Sequence, residues 1–151
     1  MKSYADTGFL VSLYINERTT TAANIAVQLV RRPLPLIPLA YLELRNALHL
    51  AVFRKQISEA TRQAAWRRIE LDLRNGIYVE AAISQLDLHE KAAQLAEKYT
   101  GTLGTRTLDL LHLAAAILLK ARQLLSFDER QRQAAKREGL KVLPDLAHRA
   151  S

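Results

Sequence analysis

The chain of 151 residues contains no cysteine. Disulfides, iron–sulfur clusters, thiolate zinc sites and cysteine nucleophiles are therefore excluded, and any chemistry must use oxygen, histidine or backbone groups. No window approaches the roughly 20 uninterrupted apolar residues of a membrane span, and the start of the chain has no apolar stretch of signal-peptide length. These absences predict a cytoplasmic protein without membrane association.

The charged residues are unbalanced. The chain has 22 Lys and Arg against 15 Asp and Glu, which leaves a formal net charge of +7. Such an excess favours polyanionic partners, such as nucleic acid, or an acidic protein partner. With 49% hydrophobic residues, the chain can bury a core without disulfides or structural metals. We therefore expect one globular domain that covers residues 1–151.

Short strand patterns alternate with helical patterns along the chain. The predicted strands cover Lys2–Ala5, Leu34–Ile37, Ile77–Ala81, Leu124–Ser126 and Lys141–Leu143. The predicted helices cover Phe9–Tyr14, Thr19–Arg32, Leu39–Lys55, Ser58–Asn75, Asp87–Tyr99, Leu108–Lys120 and Glu129–Glu138. This alternation predicts an α/β fold with a mainly parallel sheet that helices cover on both faces.

Three local features refine this prediction. Pro35 cannot donate a ladder hydrogen bond, so the second strand is expected to be short or near a sheet edge. Asp87 and Glu90 form a capping-box-like start of the fifth helix. The segment Thr100–Thr105 contains two glycines and is expected to be a loop, and Pro144–Ser151 is expected to be a short tail that frays.

Four acidic residues lie where the pattern otherwise calls for apolar residues. Asp6 follows the first predicted strand and Asp128 follows the fourth, and the carboxyl ends of parallel strands are where ligands collect. Glu43 and Asp109 each interrupt the apolar stripe of a helix. Carboxylates are costly to bury without a cation, so the four acids suggest one shared metal site.

Each acid also has a simpler interpretation. Asp6 or Asp128 alone can be a helix N-cap, because aspartate is a leading cap residue. Glu43 alone can be an ordinary solvated helix residue. Asp109 alone can be a first-turn acid that the helix dipole favours. Spacing does not decide between these interpretations and a shared site.

Two features surround Asp109. Thr105 or Thr107 just before it can cap its helix. His112 follows three residues later on the same helix face, and such a pair can bind a transition metal. Because the chain has no second such pair, we favour a partly buried, hydrogen-bonded histidine beside the site.

The residues around the four acids resemble a known family. In order, the segments YADTGFLVSLY, LAYLELRNAL, RTLDLLHLAAAILL and LLSFDERQRQAAKREGLKV resemble the four acidic motifs of PIN-domain ribonucleases, and most of all those of VapC toxins from toxin–antitoxin pairs. The resemblance spans essentially the whole chain. It implies one PIN-like domain with a three-layer fold, in which helices flank a mainly parallel, about five-stranded central sheet.

The resemblance also assigns the site. Carried over residue by residue, Asp6, Glu43, Asp109 and Asp128 take the places of the family's catalytic, metal-binding carboxylates. An oxygen-only ligand set suits Mg²⁺ or Mn²⁺. Asp6 and Asp109 are the expected direct ligands, and Asp128 completes the ligand set or supports it. Glu43 is expected to hold or deprotonate the attacking water.

Two hydroxyl residues have expected supporting roles. Thr7 and Ser126 can orient carboxylates or a phosphate through hydrogen bonds. Ser126 stands where many relatives have threonine, and the turn Ala121–Gln123 lacks the glycine often found there. The hydroxyl is retained at Ser126, so this departure does not change the expected site.

The resemblance implies a function and partners. The expected activity is Mg²⁺- or Mn²⁺-dependent endonucleolytic cleavage of a structured RNA, such as a tRNA or ribosomal RNA, which would inhibit translation. The expected partners are the RNA substrate, a VapB-like antitoxin that blocks the site, and a second copy of the chain in a homodimer.

Two alternatives belong to other classes. A catalytically silent PIN-like module could bind RNA or protein, although such a module has no reason to keep four carboxylates in apolar settings. An aspartyl-phosphate phosphatase usually has two aspartates close together after the first strand, whereas here Asp6 is followed by Thr7, Gly8 and Phe9.

Overall fold

Helices and three-residue strands alternate along residues 1–146, the part of the chain that the computed structural model describes. The strands are β1 (Ser3–Ala5), β2 (Leu34–Leu36), β3 (Tyr78–Glu80), β4 (Gln123–Leu125) and β5 (Lys141–Leu143). The helices are α1 (Thr7–Tyr14), α2 (Thr20–Gln28), α3 (Pro38–Phe53), α4 (Glu59–Arg74), α5 (Gln85–Leu103), α6 (Thr107–Leu118) and α7 (Glu129–Arg137). None of these helices is long and apolar enough to cross a bilayer. Residues 147–151 of the predicted tail lie outside the described residues.

The strand pairings are parallel. β4 pairs with β1 on one side and with β5 on the other, and β2 pairs with β3. β2 also lies alongside β1, so β2 and β3 extend the three-stranded sheet. The predicted α/β fold with a mainly parallel, about five-stranded sheet is therefore confirmed, but its hydrogen-bond ladder is divided into three strands and two.

Pro35 explains this division. The Leu34 amide donates to the Ile77 carbonyl at 3.0 Å, and the Leu36 carbonyl accepts from the Ala81 amide at 2.9 Å, so both residues face β3. Peptide groups alternate in direction along a strand, so the nitrogen of Pro35 faces β1. Because proline has no amide hydrogen, the centre of β2 cannot donate a ladder bond to β1.

Two helix boundaries differ from the prediction. Ser84, not Asp87, is the N-cap of α5, because the Ser84 side chain accepts a hydrogen bond from the Asp87 amide at 3.3 Å. Helix α2 ends at Gln28 instead of continuing to Arg32. There the Leu29 amide bonds to the carbonyl three residues earlier, which tightens the last turn and closes the helix.

The predicted loop after Tyr99 is also wrong in its first part. Helix α5 continues through Leu103, whose side chain packs against the core as the buried Leu95 and Tyr99 do. The apolar face of α5 therefore continues past Gly101 as far as Leu103. Gly104 ends the helix with φ at 67°, a left-handed conformation that favours glycine.

The central strands place two site residues at one edge of the sheet. β1 and β4 are buried along their whole length. The ladder continues one residue further, because the Asp6 amide donates to the Leu125 carbonyl and the Ser126 amide donates to the Leu143 carbonyl, each at 3.1 Å. Asp6 and Ser126 are thus held at the carboxyl edge of the sheet, where open parallel sheets bind ligands.

Candidate active site

A cavity of about 560 Å³ opens at this carboxyl edge. Four different parts of the fold contribute an acid to its lining: the end of β1, the helix α3, the first turn of α6 and the N-cap of α7. These acids are the four that the sequence singles out, Asp6, Glu43, Asp109 and Asp128. Thr7 lines the same cavity. The structure therefore brings together residues that are up to 122 positions apart in the chain (128 − 6).

Asp6 is almost completely buried, with 6% of its surface exposed. Its Oδ1 accepts a hydrogen bond from the Phe9 amide at 2.8 Å and caps α1, and its Oδ2 accepts one from the Ser126 hydroxyl at 2.6 Å. Burial raises the pKa of Asp6 above its ordinary value, and the charge of Asp109 adds to the rise, although both hydrogen bonds oppose it. A cation near Asp6 would therefore stabilise its charged form.

Asp128 also caps a helix. Its Oδ1 accepts a hydrogen bond from the Gln131 amide at 2.8 Å, and its Oδ2 accepts one from Arg106 Nη2 at 3.2 Å. The cap interpretation of Asp6 and of Asp128 is therefore correct as local structure. It does not exclude a shared site, since the cap occupies one carboxylate oxygen and leaves the other for a second partner.

Ser126 lies behind Asp6, fully buried. Its hydroxyl is 2.6 Å from Asp6 Oδ2 and 2.7 Å from Gln131 Oε1, and it accepts a hydrogen bond from the Asp128 amide at 3.1 Å. The Gln131 side-chain amide donates to the Asp109 carbonyl at 2.9 Å. Ser126 and Gln131 thus connect the segments that carry three of the four acids. Gln131 was not among the residues predicted from the sequence.

Glu43 is held by a buried histidine. His112, which is 2% exposed, places Nε2 2.5 Å from Glu43 Oε1 and Nδ1 2.7 Å from the Tyr4 hydroxyl. The Thr7 hydroxyl donates to the same Glu43 oxygen at 3.3 Å. Burial, with nearby Asp6 and Glu43, raises the pKa of Tyr4 well above its ordinary value, so Tyr4 keeps its proton. The interpretation of His112 as a buried, hydrogen-bonded residue beside the site agrees with this arrangement.

Asp109 forms an ion pair with Arg106, which lies at the start of the same helix. Arg106 Nε donates to Asp109 Oδ2 at 2.8 Å, and Arg106 is the N-cap residue of α6 without a side-chain cap bond. The predicted caps at Thr105 and Thr107 are therefore wrong. Thr105 is buried and its hydroxyl pairs with that of Thr100 at 2.7 Å, because α5 continues far enough to bring Thr100 beside it.

The donor set fits a hard divalent cation in its chemistry. The four acids offer oxygen ligands only, which Mg²⁺ and Mn²⁺ prefer. Within residues 1–146, however, no three Asp, Glu or His side chains lie close enough to form a ready-made metal-binding group. The cation between Asp109 and Asp128 is the Arg106 guanidinium, so metal binding would require these side chains to exchange Arg106 for the ion.

A fifth acid, Glu17, also lines the cavity. The buried Ser12 donates from its hydroxyl to Glu17 Oε2 at 3.1 Å, and the Thr19 hydroxyl lies 2.6 Å from that of Ser12. Glu17 follows α1 in a loop, where the sequence shows neither an apolar stripe nor a strand end. Only the folded chain reveals that it shares a cavity with the other acids, and the same is true of Arg106.

The fold and the cavity agree with a family comparison. The model of the PIN domain family matches residues 3–137, which is most of the chain. The chain therefore belongs to the PIN domain family. No curated protein matches it significantly in sequence.

Solved structures with the same fold share little sequence with this chain. FitAcB from Neisseria gonorrhoeae superposes with a TM-score of 0.65 at 16% identity, over 94% of this chain and 96% of that one. VapC20 from Mycobacterium tuberculosis, described as a sarcin-ricin loop cleaving toxin, gives 0.64 at 15% identity over 88% and 95%. VapBC2 from Rickettsia felis, solved with a promoter DNA fragment, gives 0.61 at 14% identity over 94% and 97%. These similarities show the fold of the chain.

Proposed function

We propose that this protein is a Mg²⁺- or Mn²⁺-dependent endoribonuclease and the toxin of a toxin–antitoxin pair. The single observation that carries the proposal is the convergence of Asp6, Glu43, Asp109 and Asp128 from four separate segments on one cavity of a PIN domain. Acids that served only as helix caps or surface residues would have no reason to meet at the ligand-binding edge of the sheet.

Each acid has a proposed role. Asp6 and Asp109 would hold the ion directly, and Asp128 would complete or support the ligand set. When bound, a divalent ion supplies a Lewis acid that polarises a phosphoryl oxygen and lowers the pKa of a bound water. Asp6 is suited to this role because it is buried and its carboxylate accepts hydrogen bonds from two neutral donors, the Phe9 amide and the Ser126 hydroxyl.

Glu43 is the proposed base or water-positioning residue. His112 and Thr7 both contact its Oε1, which leaves Oε2 to accept a hydrogen bond from a water on the cavity side. A general base must be within hydrogen-bond reach of the proton it accepts, so a fixed carboxylate at the cavity wall is favourable. The Tyr4 hydroxyl is hydrogen-bonded to the other ring nitrogen of His112 and so helps to hold the histidine in place.

The proposed substrate is a structured RNA, such as a tRNA or ribosomal RNA, whose cleavage would inhibit translation. The net charge of +7 supports a polyanionic substrate, since positive surface charge attracts the phosphate backbone. The VapC20 neighbour, described as a sarcin-ricin loop cleaving toxin, supports RNA as the class of substrate.

The proposed partners are an antitoxin and a second copy of the chain, and the proposed location is the cytoplasm. The structures from Neisseria and Rickettsia are complexes by their names, and another neighbour is a toxin–antitoxin complex from Klebsiella pneumoniae. Leu42, about two-thirds exposed, lines an apolar cavity of about 310 Å³ that can serve as a homodimer contact. Light scattering on the purified protein would give twice the chain mass if the dimer forms.

One experiment tests the activity. Purified protein is incubated with total RNA and either Mg²⁺ or Mn²⁺, with and without chelator, beside the Asp6→Asn and Asp109→Asn variants. The proposal predicts discrete fragments that disappear with chelator and with either substitution. Fragments that survive both treatments would rule out the metal–carboxylate mechanism.

A silent RNA- or protein-binding module is the second candidate. The Arg106 contacts favour it, because they satisfy Asp109 and Asp128 without a metal. A well-folded, antitoxin-free protein that binds RNA but cuts none of it would support this candidate over the ribonuclease.

A further inference from the structure

Arg106 occupies an unusual position in the candidate site. Its guanidinium bridges two of the four acids, with Nε 2.8 Å from Asp109 Oδ2 and Nη2 3.2 Å from Asp128 Oδ2. These two acids are mostly buried, with side chains 14% and 25% exposed, whereas the Arg106 side chain is 67% exposed. The structure thus shows an exposed side chain that lines the cavity and contacts two partly buried carboxylates.

The contacts resemble a cation site filled by the protein itself. A guanidinium between two carboxylates reduces their mutual repulsion, although its single positive charge offsets only one of the two negative charges. It uses two different nitrogens on two acids, and this leaves three of its five N–H groups for other acceptors. A divalent ion that binds Asp109 through Oδ2 would compete with Arg106 for that oxygen.

We propose that Arg106 is a substrate-phosphate ligand that exchanges partners. In this structure its guanidinium holds Asp109 and Asp128, and with these acids occupied by a divalent ion it would instead bind a phosphate of the RNA. The inference rests on the proposed metal-dependent function. It adds a positioning and binding residue outside the four acids, together with the chemical group that this residue would bind.

The chemistry of arginine supports the second contact. Guanidinium groups bind phosphates through paired hydrogen bonds, and they do not lose their charge at any physiological pH. Arg106 is attached at the start of α6, three residues before Asp109. A phosphate close to an ion on Asp109 would therefore lie within the range that the same side chain already covers.

The chain provides a matched control. Arg130 is also exposed and lies close by, where its Nη1 donates to the Gly104 carbonyl at 3.2 Å, but it contacts none of the four acids. Replacing either arginine with alanine removes the same charge from the same side of the protein. Only Arg106→Ala removes the contacts to the acids, so the difference between the two variants isolates the bridge.

The first measurement is the affinity for Mn²⁺. The protein is titrated with Mn²⁺ in the absence of RNA, and electron paramagnetic resonance reports the concentration of free Mn²⁺. Arg106→Ala should bind Mn²⁺ about fivefold more tightly than wild type, because two exposed ion pairs no longer compete. Arg106→Lys, which cannot bridge two acids with separate nitrogens in a fork, should fall between them. Arg130→Ala should match wild type. Equal affinities for wild type and Arg106→Ala would overturn the proposal.

The second measurement is RNA affinity, with a labelled hairpin RNA and a Glu43→Gln background that keeps the RNA intact. With Mn²⁺, Arg106→Ala should weaken RNA binding about tenfold, well beyond Arg130→Ala, through the loss of a charge-assisted contact. With chelator, the two alanine variants should bind RNA equally, because Arg106 then holds the acids. An Arg106 effect of the same size with and without metal would contradict the exchange.

The two proposals fail in different ways. If wild type binds Mn²⁺ and RNA with the predicted Arg106 dependence but cuts no RNA, the ribonuclease proposal fails and the exchange stands. If wild type cuts RNA with metal but Arg106→Ala leaves the affinity for Mn²⁺ unchanged, the exchange fails and the ribonuclease proposal stands.

Discussion

Asp6 in the cavity and Glu138 at the end of α7 are both hydrogen-bonded carboxylates, but their surroundings differ. Glu138 accepts hydrogen bonds from Lys98 Nζ at 2.7 Å and from the Tyr99 hydroxyl at 2.5 Å. Partial burial pushes the pKa of Glu138 up, yet these two bonds outweigh it and the pKa is lowered. Asp6 has only neutral donors and deeper burial, and its pKa is raised.

This difference separates a structural acid from a candidate functional one. Glu138 has a permanent cation from α5, so its charge contributes to the native packing of α5 against α7. Asp6 accepts hydrogen bonds from neutral donors only, and burial raises its pKa. Strongly perturbed acids in a cavity are typical of functional sites, because selection tolerates the loss of stability there.

The largest expected difference is in activity. Glu43→Gln should lower the initial rate of RNA cleavage by at least about 100-fold, which is a typical loss on removal of a general base. Glu138→Gln should leave the rate unchanged, because Glu138 lies outside the cavity. Cleavage of one purified RNA with Mn²⁺ measures both. A Glu43→Gln variant with the wild-type rate would remove Glu43 from the proposed mechanism.

The next effect concerns the residue that positions Glu43. His112→Gln should lower kcat about tenfold and leave KM for RNA nearly unchanged, since it loosens the Glu43 side chain without contacting substrate. His49→Gln is the control, because His49 is exposed and does not line the cavity. A folded His112→Gln variant with the kcat of the control would contradict this positioning role.

The third prediction concerns stability without metal. The raised pKa means that folded Asp6 binds its proton more tightly than unfolded Asp6 does. Its contribution is therefore most favourable at acidic pH and is lost as pH rises through the folded pKa. Asp6→Asn keeps an N-cap and removes the charge. It should increase the free energy of unfolding at pH 7, with a difference that shrinks as pH falls towards the ordinary pKa of aspartate.

Urea unfolding with chelator across this pH range tests the prediction. The m-values of the two proteins should agree, so that the comparison reflects stability alone. A wild-type protein that is more stable than Asp6→Asn at pH 7 would show that the buried charge is compensated after all.

The smallest expected effect concerns Glu138, whose pKa is shifted in the opposite direction to that of Asp6. The pKa of Glu138 is lowered, so its stabilising contribution is present above the ordinary glutamate pKa and is lost as pH falls. Glu138→Gln should lower the Tm at pH 7 by only about 1–3 °C, because Lys98 is largely exposed and solvent screens the pair. The two variants, Asp6→Asn and Glu138→Gln, should thus shift the Tm in opposite directions.

Much of the fold follows from local patterns. The strands after Lys2 and Arg122 are short apolar runs bounded by polar residues, and each is followed by an aspartate. Chain order alone then places Asp6 and Asp128 at one edge of a parallel sheet. The division of the sheet at Pro35 depends on which neighbour its nitrogen faces, and only the register of β2 with β3 fixes that.

The partners of the site could not be read from the sequence. Arg106 precedes Asp109 in an ordinary polar segment, and its contact with Asp128 depends on how α6 and α7 pack together. Glu17 lies in a loop without a periodic pattern. Ser84, and not Asp87, is the N-cap of α5. Serine and aspartate are both favoured cap residues, so local propensity alone does not decide which of these two positions begins the helix.

The most direct test of the shared metal site is a crystal of the protein soaked in Mn²⁺, with an anomalous difference map. A shared site would give a peak in the cavity within bonding distance of carboxylate oxygens of Asp6 and Asp109. The Arg106 guanidinium should also have left Asp109. A cavity without a peak at saturating Mn²⁺, with Arg106 still on both Asp109 and Asp128, would contradict the claim that the four acids form one metal site.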